Sequence, residues 1–173
     1  MNLDSLVDFA NDAANEIGKY MVQVTLNPDK LAAENYPVSS LEWSSVRYSN
    51  DEIDHVPDDK RGIYAFAICH ESSALPPHGY ILYIGIAGRN SDRSLRERYK
   101  DYLNVRKVIK RDRIARMIGN WHSVLRFFYA PIEDSVSSEE LQELEKKLNG
   151  AFLPPFSEGD LDAETKRKRR AFR

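Results

Sequence analysis

Glu145 is the residue whose position most needs a chemical explanation. At about 100° per residue, the segment 138–152 places Leu141, Leu144, Leu148 and Phe152 in one apolar stripe. Glu145 falls inside that stripe, whereas Glu139, Glu143, Lys146 and Lys147 lie on the opposite half. An ionised carboxylate on a core-facing stripe is costly unless it has a partner. Two partners would satisfy it: an arginine in a structural ion pair, or a hard divalent cation, which takes carboxylate oxygen. Arg98 and Tyr102 stand four residues apart and so share one side of a helix, with Leu95 and Tyr99 as the apolar anchor beside them. Tyr64 and Tyr83 lie in β-branched and aromatic runs, where a tyrosine is ordinarily a sheet residue. A free phenol has a pKa near ~10, so base chemistry at either would need cationic charge nearby.

The charge is unevenly spread. Of the 173 residues, 1–60 hold twelve acidic and four basic side chains, a balance of −8, and 89–116 hold eleven basic and four acidic ones, a balance of +7. A second basic run, Lys166-Arg167-Lys168-Arg169-Arg170, comes near the end. Concentrated positive charge is what neutralising a phosphate backbone demands, although a solvated helical face and a tail account for such runs equally well. The expected phosphate contacts are Arg89, Arg93, Lys107, Lys110, Arg111 and Arg113.

Other chemistries find little support. His55, His70, His78 and His122 include no pair at zinc-ligand spacing. Cys69 is the single cysteine, which excludes an internal disulfide and a multi-thiolate site and fits a reducing compartment. No apolar run approaches the ~20 residues of a membrane span, and the acids at the N-terminus do not suit a secretory signal. The expected location is cytoplasmic, away from membranes.

The elements that must position these residues follow from periodicity and punctuation. Residues 3–21 read as an amphipathic helix, 22–40 as a connection interrupted by Pro28 and Pro37, and 41–48 as a candidate strand. Residues 62–69 and 80–86 form a strand pair joined by a long loop containing Pro76, Pro77 and Gly79. Ser94 and Glu97 form a capping box that starts a helix to about Leu103; a basic helical stretch with a break follows to about Ile118. Residues 122–131 read as a third strand, and Ser137 with Glu140 caps a last helix that ends before Pro154-Pro155. The expectation is an α+β fold: a small antiparallel three-stranded sheet flanked by helices, with an N-terminal helical extension. Residues 1–56 would be the acidic extension, 57–157 the catalytic domain and 158–173 a basic tail.

Gly62-Ile63-Tyr64 on one strand and Tyr83-Ile84-Gly85 on the next, followed by Arg98 and Tyr102 and later by Glu145, resemble the GIY-YIG nuclease family over roughly residues 57–157. The resemblance implies a metal-dependent endonuclease that hydrolyses phosphodiesters of double-stranded DNA with one metal ion, Mg²⁺ or Mn²⁺. It implies that Glu145 is the metal ligand, that Arg98 contacts the scissile phosphate, and that Tyr102 occupies the place of a histidine or tyrosine one helical turn later. Tyr64 and Tyr83 would handle the attacking water and the phosphate, with their roles unassigned. Arg93 and Arg96 compete with Arg98, because the loop after Gly85 looks longer than in compact members. Family members commonly carry an asparagine where Ser157 stands, and a serine is expected to replace one amide hydrogen bond but not two. The alternative is a module of the same type that binds nucleic acid or protein without cutting. A homodimer is a further expectation, as some short members pair.

Overall fold

The computed structural model describes residues 3–33, 35–38, 40–70, 76, 78–89, 93–157, 161 and 163–170. Helix α1 spans Leu3–Gly18 and α2 spans Pro28–Ala32. Strand β1, Ser44–Arg47, is followed by a 3₁₀ turn at Asn50–His55. Strands β2 (Gly62–His70) and β3 (His78–Ala87) come next. Helices α3 (Leu95–Leu103), α4 (Val105–Val108) and α5 (Asp112–Trp121) lead to β4 (Leu125–Pro131). Helices α6 (Ser138–Phe152) and α7 (Ala163–Arg170) close the chain.

The architecture is α+β, but among the described residues its sheet has four strands rather than three, all antiparallel, in the order β1-β4-β2-β3. The added strand is β1, whose four residues pair with β4 from Ser44 opposite Tyr129 to Arg47 opposite Arg126. Only Val46 of β1 is buried, so β1 carries almost no inward-facing pattern and owes its place to pairing with a distant strand. The third expected strand starts later, at Leu125, because Trp121 anchors the end of α5 in the core and His122 caps that helix. The hairpin loop falls mostly at 71–75 and 77, outside the described residues. The expected break in the basic stretch lies between α4 and α5.

Residues alternate between two cores on opposite faces of the sheet, as strand geometry requires. Tyr64, Phe66, Leu82 and Tyr83 join Leu95, Tyr99, Tyr102, Met117 and Trp121 on one side. Ile63, Ala65, Ile84 and Ile86 meet Leu141, Leu144 and Leu148 of α6 on the other. The pairing of β2 with β3 shifts between Phe66 and Ala67, so Leu82 is an extra residue and shares a core with its neighbour Tyr83. Bulges of this kind re-aim side chains near sites.

Both capping boxes form: Ser94 with Glu97 on α3, and Ser137 with Glu140 on α6. Helix α6 ends at Leu153, which is left-handed (φ 44°) ahead of Pro154, so the chain turns there and runs back along the outer edge of β3. Phe156 N donates to Leu82 O at 3.0 Å. Among the described residues no helix is long and apolar enough to cross a membrane.

Candidate active site

The first strand of the hairpin supplies Tyr64, which has no exposed surface. Its neighbour across the sheet is Gly85, and the pairing explains why that position lacks a side chain. A Cβ on Gly85 would lie 2.5 Å from the Tyr64 hydroxyl and 3.0 Å from the Tyr83 ring, so the phenol fills the space a side chain would take. Gly62 is constrained differently, since a Cβ there would meet the Ala130 carbonyl oxygen of β4 at 2.2 Å. One glycine makes room for a phenol and the other for the sheet.

Tyr64 meets α3 through its hydroxyl. The Tyr64 and Tyr102 oxygens are 2.7 Å apart, and Arg98 Nε donates to Tyr64 Oη at 3.1 Å. Arg111, just ahead of α5, donates from Nη2 to Tyr102 Oη at 3.4 Å and lays its guanidinium 4.9 Å from that ring centre. The Tyr83 ring lies 6.2 Å from both the Tyr64 and Tyr102 rings. Burial, then the neighbouring phenols of Tyr102 and Tyr83, raise the Tyr64 pKa well above its usual value, with Arg98 opposing them. Tyr64 is therefore a neutral hydrogen-bonding group at ordinary pH rather than a base. Tyr64 above all, then Tyr102 and Tyr83, shift Arg98 upward against burial, which lowers it, so the guanidinium stays charged.

Asp101 gathers the cations around this pair. It accepts from Arg93 Nη1 and from Lys107 Nζ, each at 2.6 Å, and lies 4.0 Å from Arg98 Nη1. Arg96 points elsewhere: it donates to the carbonyls of Val56 and Asp54 and pairs with Asp54 and Asp58. Of the two rivals to Arg98, Arg96 is thus a clamp on the 3₁₀ turn, whereas Arg93 lines the same cleft as Arg98.

Tyr83, Arg98 and Glu145 come from β3, α3 and α6, and all three line one cleft of about 150 Å³ at the outer edge of β3, together with Arg89 and Arg93. Glu145 is half-buried, so it lies at the rim of the stripe rather than under it. Tyr64 and Tyr102 are absent from the lining and stand behind Arg98. Lys110 and Arg113 are exposed on the α4–α5 side, outside the cleft. Ser157 has no exposed surface, and its hydroxyl does more than expected of it: it accepts from Ile84 N at 2.9 Å and donates to Ile84 O at 3.3 Å. Both bonds fix the backbone between Tyr83 and Gly85.

Comparison of the chain with family models, curated proteins and solved structures gives no match.

The donor set can be tested against a divalent cation. Among the described residues no three acidic, histidine or cysteine side chains converge, and the cleft offers one carboxylate, Glu145, beside a phenol and arginines. Mg²⁺ keeps several waters and is commonly held by one or two carboxylates plus substrate phosphate, so a single carboxylate beside the cleft's arginines fits it. Asn149, one turn beyond Glu145 on the same side of α6, is fully buried with neither amide atom bonded. Such an amide is costly, and it lies off the lining of the cleft, so the fit rests on Glu145.

Sequence reasoning missed Asp101 and the role of Arg111 as a partner of the phenols. The spacing of Asp101, three residues after Arg98, was the available signal for the first.

Proposed function

We propose that this chain is a metal-dependent endonuclease of the GIY-YIG type that hydrolyses phosphodiester bonds of double-stranded DNA. The observation that carries the reading is the convergence of Tyr83, Arg98 and Glu145, from three separate elements, on one small cleft. Their chemistry is complementary. A forked, permanently charged guanidinium suits non-bridging phosphate oxygens, and aimed at the phosphoryl group it stabilises charge that grows as the bond breaks. Tyr83, which lines the cleft, is the phenol placed to hold the attacking water. Tyr64 and Tyr102 keep Arg98 in position from behind. Glu145 would hold Mg²⁺ or Mn²⁺, which when bound stabilises the leaving 3′ oxygen. Arg89 and Arg93 reach the DNA through its phosphates, which position the duplex without reading bases. The non-cleaving alternative leaned on Ser157, yet that hydroxyl makes both of its bonds to Ile84.

Supercoiled plasmid incubated with the protein is the test. Nicking in Mg²⁺ that stops with chelator and in Glu145→Gln supports the reading. Duplex binding without nicking by wild type, under any divalent cation, assigns the fold to binding alone.

A further inference from the structure

A second, larger concavity of about 1010 Å³ adjoins the cleft and shares Arg89 and Glu145 with it. One wall is α6; the other is α2 with the residues that follow it to Tyr36. The walls are tied together, since Asn27 N donates to Ala151 O at 2.9 Å and Lys147 Nζ donates to Asn35 O at 2.6 Å. At Gly150 a Cβ would lie 3.1 Å from Lys30 Nζ, so the Lys30 side chain reaches across to α6. The N-terminal segment thereby supplies half of a groove whose other half carries Glu145.

The groove's charges are not used up internally. Lys147 is paired with Glu143 at 3.1 Å. Lys30, Arg89 and Lys146 are exposed along the groove, and among the described residues none of them has an ion-pair partner. Against these three cations stand Asp29 and, at the cleft end, Glu145. Unpaired cations at intervals on both walls suit a ligand that repeats its negative charge, and each DNA strand carries a phosphate about every 3.4 Å of helix axis. We infer that the groove between α2 and α6 holds the sugar–phosphate backbone of the nucleic-acid strand leading away from the scissile phosphate. The inference rests on the nuclease reading and gives the N-terminal segment a role in substrate binding.

Duplex affinity measured against salt, in chelator so that no cleavage occurs, tests it with Lys30→Gln/Lys146→Gln beside wild type and Lys19→Gln. Each lost phosphate contact lowers the slope of log affinity against log salt by about 0.9, so the double variant should be shallower by about 1.8 with an unchanged thermal midpoint. Lys19→Gln, outside the groove, should match wild type. A slope equal to wild type in the double variant, while wild type binds and nicks, overturns the groove and leaves the nuclease reading standing. An equal loss in Lys19→Gln also overturns it, because the effect would then be general to surface lysines. Polyglutamate that displaces duplex from wild type, yet binds the double variant poorly, assigns the groove to an acidic peptide instead. Wild type that neither binds duplex nor nicks plasmid removes both readings together.

Discussion

The hydroxyl oxygens of Tyr64 and Tyr102 lie 2.7 Å apart, and an arginine holds each from outside: Arg98 at 3.1 Å from Tyr64, Arg111 at 3.4 Å from Tyr102. Four side chains from β2, α3 and the approach to α5 thus form one chain of bonds. Arg98 is the member that reaches the cleft. The phenol it bonds, Tyr64, lies outside the lining of that cleft.

Tyr64→Phe removes the oxygen that serves both Arg98 and Tyr102. Leaving such buried partners unsatisfied costs about 1–3 kcal/mol, so the thermal midpoint should fall. Turnover should fall by about tenfold or more, equivalent to about 1.4 kcal/mol of barrier or more, with duplex affinity unchanged because the cleft surface is intact. A variant that nicks like wild type would show that Arg98 is aimed by something other than Tyr64.

The two motif glycines should fail in different ways. Alanine at Gly62 drives a methyl into the Ala130 backbone at 2.2 Å, which the sheet cannot yield, so the variant should be strongly destabilised. Alanine at Gly85 meets the end of a side chain, the Tyr64 hydroxyl, at 2.5 Å. That phenol can shift, at the expense of its bonds to Arg98 and Tyr102. Gly85→Ala should therefore keep more of its thermal midpoint than Gly62→Ala and still lose nicking. Equal loss of stability in both would make Gly85 a packing residue only.

The contrast between these glycines marks how much could be read beforehand. Helices α3 and α6 were legible because their capping boxes, Ser94–Glu97 and Ser137–Glu140, announce a start by local hydrogen bonding. Strands β2 and β3 were legible from composition. Strand β1 was harder, since its pairing partner is some eighty residues away and only Val46 faces the core. Arg111 looked like one more cation in a basic stretch; its contact with Tyr102 depends on the angle at which short α4 turns the chain, which no local pattern encodes. The gathering of Tyr83, Arg98 and Glu145 was expected from the resemblance alone, as periodicity places each on a face but does not bring three elements together.

The buried phenols should make the protein sensitive to alkali. The Tyr64 pKa lies well above its usual value, and burial ahead of all else lifts that of Tyr99 to about 12. An unfolded tyrosine titrates near ~10, so between those values the folded state holds protons that the unfolded state has lost. The stabilisation is complete below about pH 10 and disappears as pH rises through the folded values. The thermal midpoint should accordingly decline from about pH 10 to pH 12. Tyr99→Phe should show a shallower decline, and its tyrosinate absorbance should lack one late-titrating phenol. A midpoint flat across that interval would contradict the protonated, hydrogen-bonded state of these residues.

Arg98, Arg111 and Arg96 differ in what they touch, and their alanine variants should separate accordingly. Arg98 lines the cleft, so Arg98→Ala should lower turnover by about 10²-fold or more, the scale of losing one preorganised charge at a reacting centre. Arg98→Lys should recover only part of this, because an ammonium cannot bond Tyr64 through Nε and present a fork to phosphate at once. Arg111 stacks on Tyr102 without lining the cleft, so its loss should act through the phenol pair and fall between the extremes. Arg96 is spent on the carbonyls of Asp54 and Val56, so Arg96→Ala should lower the thermal midpoint and leave turnover per folded molecule unchanged. Single-turnover cleavage at saturating protein separates these effects from binding. If Arg96→Ala were the inactive variant and Arg98→Ala the active one, the cleft at the β3 edge would not be where the phosphate is cut.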